Sequence, residues 1–303
     1  MSLRDFHVST LALKAASVSP RFTTFAMKLA APHLPSHWVI NDIATRYNLR
    51  LAVKTKLENG MTVWVLLGDE VGEGLRRRGC TERETLNAIT SHLNKDSVFF
   101  DLGAHIGQYT LMASPLCRAV HSFEPVPVTF ELLHRNVQAN GLANVFANHC
   151  AVSDRSGDVT IYEGDVSNMD RSSLRPPAYT SGKSFVVPSL TLDAYVREHG
   201  DVPDLIKIDV EGAEISVLRG ACNLLRERHP TLIVEIDRLN QPRFGFTADD
   251  LLEELKGFGY SISPLENEQG TDRSYFNVIA SANLSCPTET DSSRSDCLLP
   301  VPK

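Results

Sequence analysis

Val98-Phe99-Phe100-Asp101-Leu102-Gly103-Ala104-His105-Ile106-Gly107 decides how the chain folds: an apolar strand ends in an acid, turns on glycine and enters a helix. Outward from it, Ala119 to Phe123, Val145 to Cys150, Leu205 to Ile208 and Leu232 to Ile236 are short, β-rich apolar runs, with helical stretches between most of them. That alternation predicts an α/β fold, a mostly parallel sheet with helices on both faces. In such a sheet ligands bind at the carboxyl ends of the strands, so the glycine turn marks the expected site.

The flanks read differently. Residues 1–50 have helix-like apolar spacing broken at Pro20, Pro32 and Pro35, which predicts short helices. Leu51 to Leu67 is strand-like on both sides of Asn59-Gly60, a pair suited to a tight hairpin turn. Thr81 to Leu93 reads as a helix with Thr81 as N-cap and Glu84 completing a capping box. Gly157 to Tyr162 and Ser184 to Leu190 are β-like and flank a polar loop; Gly164 to Lys183, with Asn168, Arg171 and Arg175, is the expected lid. Thr247 to Lys256 is a capped helix, and strands at Gly257 to Ser263 and Tyr275 to Ala280 close the sheet edge as an antiparallel hairpin. The division is an appendage with a hairpin at 1–69, an α/β domain at 70–280 and a disordered tail at 281–303.

Composition narrows the function. With 42% hydrophobic and 22% charged residues the chain can bury a domain-sized core. Thirty Lys and Arg against 37 Asp and Glu give a charge of -7 and no polybasic face, which excludes generic nucleic-acid binding. No apolar run approaches the roughly 20 residues that span a bilayer, so no membrane partner is expected. The six cysteines contain no CxxC pair, hence neither a zinc knuckle nor a dense disulfide framework, which suits a reducing, cytoplasmic setting.

Chemistry concentrates at the strand ends. The turn spacing after Asp101 is GxxxG, with His105 where the dinucleotide fingerprint GxGxxG has its second glycine, so NAD and FAD are disfavoured. Asp101 followed by Gly103, Ala104 and Gly107 suits a ligand with an amino-acid moiety, the acid meeting an ammonium while glycine lets the backbone approach; S-adenosylmethionine is such a ligand. Glu124-Pro125 closes the second strand, where a carboxylate can accept hydrogen bonds from both ribose hydroxyls. Ala151 and Val152 are small and apolar, suited to an adenine face. On the fourth strand Asp209 and Glu211 share a face at the strand end, with Glu214 in the following helix, and Glu235 and Asp237 repeat the spacing on the next strand.

FFDLGAHIGQYTL, SFEP, HRNVQAN, SLTLDAY, LIKIDVEGAEISVLRGA and TLIVEID, in this order, resemble the FkbM family of S-adenosylmethionine-dependent methyltransferases. The resemblance implies a Rossmann-like class I methyltransferase fold with a seven-stranded sheet, and O-methylation of a hydroxyl on a small molecule such as a sugar or polyketide. Residue by residue, it puts Asp101, Gly103 and Gly107 in the cofactor turn, Glu124 on the ribose, and Asp209 with Glu211 beside the transferred methyl. His105 departs from the family, which usually has Asn there.

An alcohol attacks well only as its proton is removed, so a base must stand within reach. Asp209 is the first candidate, then Glu211, Glu235 and His105. His105 can equally touch the cofactor carboxylate or hold the turn. No metal site is assigned, although the acidic edge leaves Mg²⁺ open as an alternative. A non-catalytic cofactor-binding or scaffold protein, or a methyltransferase for another acceptor class, are the rival readings.

Overall fold

The computed structural model describes residues 50–164, 171–176, 180–265 and 274–282. The expected N-terminal helices and nearly all of the tail lie outside the described residues.

Strands β1 (Ala52–Lys56) and β2 (Thr62–Leu66) form the antiparallel hairpin. The connection is wider than a two-residue turn: Leu57 N–H donates to the Met61 carbonyl at 2.9 Å, and Gly60 supplies the left-handed residue at φ 84°. Helices α1 (Glu70–Arg78) and α2 (Arg83–Ser91) follow. The capping box expected at Thr81 does not form. Helix α2 starts from Glu82 at φ 45° with no side-chain cap, because Thr81 turns inward and gives both its N–H and its hydroxyl to Gln108 Oε1, each at 2.8 Å. A tertiary contact has outcompeted the local one.

The body alternates as the apolar runs predict. In order come β3 (Val98–Leu102), α3 (Gln108–Ala113), β4 (Ala119–Phe123), α4 (Pro127–Ala139), β5 (Val145–Asn148), β6 (Ala151–Val152), β7 (Gly157–Gly164), β8 (Thr180–Leu190), α5 (Leu192–His199), β9 (Leu205–Ile208), α6 (Glu214–Arg219), α7 (Cys222–Glu227), β10 (Thr231–Asp237), α8 (Ala248–Gly257), β11 (Tyr260–Pro264) and β12 (Tyr275–Ala282). Seven strands make the main sheet, ordered β11-β12-β10-β9-β3-β4-β5. All ladders are parallel except the two that β12 makes. The closing hairpin β11–β12 is present, and Thr247 with Asp250 forms the capping box of α8. The run expected at Val145 to Cys150 ends at Asn148 as β5 of the main sheet, and β6, beyond that run, joins β8 and β7 in a second, three-stranded sheet.

Sheet order reverses between β3 and β9, since the chain runs from β3 out through β4 and β5, then returns to β9 on the other side. The faces of β3, β4 and β9 are wholly buried, with Phe99, Phe100, Phe123, Leu205 and Ile208 at most 1% exposed. Apolar burial of this kind supplies most of the stabilisation. The reversal puts a crevice at the carboxyl ends of β3 and β9, from which the connections leave in opposite directions. Among the described residues, no helix is long and apolar enough to cross a membrane.

Candidate functional site

The crevice is a single cavity. Gly103, Ala104, His105, Glu124, Pro125, Ala151, Val152, Asp209, Glu211 and Glu235 all line it. Two residues expected with them do not. Gly107, at φ 93°, starts α3 and packs against Leu133, whose Cδ1 would lie 2.6 Å from an added Cβ. Asp101 is fully buried beneath the turn, with Oδ2 accepting from Thr110 Oγ1 at 2.6 Å and Oδ1 without a hydrogen-bond partner. Burial pushes its carboxyl up, and the Lys207 charge opposes that. Asp101 is thus sealed off from the cavity, so its expected direct grip on a ligand is not what the geometry provides.

The glycine turn is shaped by contact with the neighbouring strand end. At Gly103, φ 78°, a Cβ would stand 1.7 Å from the Asp209 carbonyl oxygen, so only glycine lets the ends of β3 and β9 meet. His105 follows at φ 52°. Its N–H donates to Glu124 Oε2 at 2.8 Å, and neither ring nitrogen has a hydrogen-bond partner. Burial holds the imidazole neutral, down to about 4. A group so weakly basic is a poor general base near neutral pH.

Glu124 is 5% exposed and well supplied. Oε1 accepts from Val126 N–H at 2.9 Å and Thr129 Oγ1 at 2.8 Å, so the carboxyl is fixed to the turn and to the start of α4, while Oε2, with one donor in His105 N–H, keeps acceptor capacity. Burial pushes it up to about 7 despite those donors. Cys150, Ala151, Val152 and Ile161 add an apolar wall.

Opposite lies the acidic edge. Carboxylate oxygens of Asp209, Glu211 and Glu235 come within 4.8 Å of one another. Asp209 Oδ2 also accepts from Lys207 Nζ at 2.7 Å. Burial first, then the charges of Asp209 and Glu211, push Glu235 far above the usual carboxylate range; it hydrogen-bonds Asp209 and leaves Oε2 unpartnered. Glu235 therefore keeps its proton at neutral pH. Glu211, in the left-handed region at φ 57°, accepts from Asn240 Nδ2 at 2.7 Å.

Other acids of the motif are structural. Glu214 is fully buried, pushed up to about 7 by burial, and accepts the N–H groups of Val210 and Gly212, which holds the loop after β9. Asp237 closes a turn by accepting from Leu239 and Asn240 N–H. Of the expected lid, Ser172, Ser173 and Leu174 line the cavity, and Ser173 Oγ donates to the Glu211 carbonyl at 2.7 Å. Arg175 lies with Cζ 5.9 Å from the Phe244 ring centroid, and Asn168 falls outside the described residues.

Sequence reasoning missed Lys207, Glu82 and Tyr109. Tyr109 OH donates to Glu82 Oε2 at 2.6 Å, and both line the cavity. A lysine inside the doubly buried strand Leu205–Ile208 was a readable signal. Glu82 offered none, since its place depends on a left-handed backbone at a residue that is not glycine.

The chain is similar to known methyltransferases. The profile of the methyltransferase FkbM domain matches residues 101–262, more than half of the chain. The hexuronic acid methyltransferase AglP of Haloferax volcanii is 29% identical over 177 residues, 58% of this chain and 69% of that protein. The 31-O-demethyl-FK506 methyltransferase FkbM of Streptomyces tacrolimicus is 26% identical over 239 residues, 68% of this chain and 88% of that protein. A solved methyltransferase FkbM from Methylobacillus flagellatus is 16% identical with a TM-score of 0.43, covering 70% of this chain and 61% of its own. With its profile matched across the sheet that carries the cavity, the chain belongs to the FkbM methyltransferase family.

Proposed function

We propose that the protein transfers a methyl group from S-adenosylmethionine to a hydroxyl of a small molecule, a sugar, a polyketide or a similar acceptor, with Asp209 as the base. One observation carries the reading: a glycine turn, a buried ribose-type glutamate and a cluster of carboxylates share one cavity at the sheet's reversal point. The relatives add support, one being named for a hexuronic acid and another for an acceptor with a free 31-O position.

The residues present fit the donor. Glu124 Oε2 has acceptor capacity for ribose hydroxyls, the wall of Cys150, Ala151, Val152 and Ile161 suits adenine, and Gly103 brings backbone close without a side chain. When bound, S-adenosylmethionine supplies a methyl on a sulfonium, whose departing thioether needs no proton. The chain's work falls on alignment and on the acceptor's proton. Asp209, held by Lys207, takes the hydroxyl proton as the oxygen attacks, while Glu235 stays protonated beside it and Glu211 is braced by Asn240.

Calorimetry of S-adenosylmethionine and S-adenosylhomocysteine, with NAD⁺ as a control, tests the donor. Micromolar binding of the first two is expected, weakened about tenfold or more in Glu124→Ala because hydrogen bonds to a charged group are lost. A folded protein that binds neither overturns the reading. Hydroxylated sugars and polyketides are then screened as acceptors with the labelled donor.

A further inference from the structure

S-adenosylmethionine ends in an amino acid, and the partner expected for that end, Asp101, is shut beneath the turn. The ammonium of that end still has carboxylates to meet on the cavity wall in Asp209 and Glu211. The carboxylate has fewer partners. Four N–H groups of the glycine turn are already spent: those of Gly103 and Ala104 donate to the Phe123 carbonyl, each at 3.0 Å, that of Gly107 to the Ala104 carbonyl at 2.8 Å, and that of His105 to Glu124. Among the described residues that line the cavity, Lys207 is the one lysine or arginine, and it is paired with Asp209. The hydroxyls of Thr81, Tyr109 and Ser173 donate to Gln108, Glu82 and the Glu211 carbonyl. The His105 ring is different. It belongs to the cavity wall, and both of its nitrogens are buried without a hydrogen-bond partner. Folded proteins seldom leave such atoms unfilled. A neutral imidazole carries one N–H, so one of the two nitrogens is a donor with nothing to give to. The backbone holds the residue in place, at φ 52° and with its N–H on Glu124, so the ring stands between the ribose-type carboxyl and the charge of Asp209. Left-handed backbone at a residue other than glycine is a strain found mostly at functional sites.

We propose that His105 binds the amino-acid end of the donor, its ring N–H donating a hydrogen bond to the donor's carboxylate. The inference rests on S-adenosylmethionine being the donor. It gives that end a partner which neither Asp101 nor the N–H groups of the turn supply. Burial keeps the ring neutral, so the contact is a hydrogen bond to a charged acceptor and not an ion pair. Asparagine, the usual residue of the family here, also offers an N–H and tolerates left-handed backbone.

The test compares two ligands, S-adenosylhomocysteine and methylthioadenosine. They share adenine, ribose and sulfur, and only the first carries the amino-acid end. Calorimetry of both with wild type, His105→Gly, His105→Asn and His105→Phe isolates the contact. Glycine removes the ring and accepts φ 52° without strain. In His105→Gly the affinity for S-adenosylhomocysteine falls about tenfold or more while that for methylthioadenosine changes less than about threefold, and His105→Asn recovers most of the loss. Where glycine loosens the turn and weakens both ligands alike, His105→Phe keeps a ring without nitrogens and shows the selective loss. Selective loss in neither variant overturns the proposal, as does a wild type that binds the two ligands equally. Wild type that binds neither overturns the donor itself, a result distinct from both.

Discussion

Glu124 and Glu235 stand on opposite sides of one cavity, near the ends of β4 and β10, and burial raises both. Their neighbours separate them. Glu124 receives three hydrogen bonds from donors fixed by the backbone turn and α4, while Glu235 faces two other carboxylates and keeps an unpartnered oxygen. A buried carboxyl surrounded by donors is a rigid acceptor, suited to binding. One crowded by acids is poised to exchange a proton. The same residue type thus serves the donor side and the reaction side of the site.

Asp209→Asn breaks this division most sharply. Removing the base leaves the binding half intact, so kcat should fall by about 10²–10⁴ with S-adenosylhomocysteine affinity changed less than about threefold. Single-turnover assays and calorimetry measure the two quantities. Equal losses in both would show that the halves are not separable.

Gly103→Ala strikes the seam between them. The new Cβ is strained at φ 78° and would lie 1.7 Å from the Asp209 carbonyl, so β3 and β9 must part at the ends that carry the turn and the base. A stability loss of about 3 kcal/mol or more is expected from urea unfolding. A loss below about 1 kcal/mol would mean that the seam is adaptable, with less alignment available from the turn.

The two halves were also unequally legible. The strands and their mostly parallel sheet followed from apolar runs and glycines, and Gly103, Glu124, Ala151 and Val152 reached the cavity as their positions imply, because a turn and a strand end fix them locally. Asp101 did not, since its hydrogen-bond partner Thr110 comes from α3 and holds it beneath the turn, and no spacing within the motif encodes that meeting. Glu214 was grouped with Asp209 and Glu211, yet it turns back to its own loop. Glu82 enters from before the sheet begins, through a left-handed residue that replaced the expected Thr81 cap. Local patterns locate what the backbone carries directly; groups whose place depends on distant side chains emerge only from the packing.

Glu214→Gln makes the smallest change and sharpens the comparison with a third buried glutamate, one that serves structure alone. Its carboxyl sits at about 7 in the folded protein. The unfolded value is about 4.3, so between the two the folded state holds a proton that the unfolded chain has released. Stability from the neutral form is therefore complete below the unfolded value, declines as pH rises toward the folded one, and is level above it. Glutamine stays neutral throughout and still offers an oxygen to the Val210 and Gly212 N–H groups. The fall in unfolding free energy between about pH 5 and about pH 7.5 should accordingly be shallower in the variant by about 1–2 kcal/mol, read from urea midpoints at each pH. An unchanged slope would mean that Glu214 ionises without penalty in the folded chain. The pH dependence would then come from the cavity, where Glu124 carries the same sign and ligand binding reports it directly.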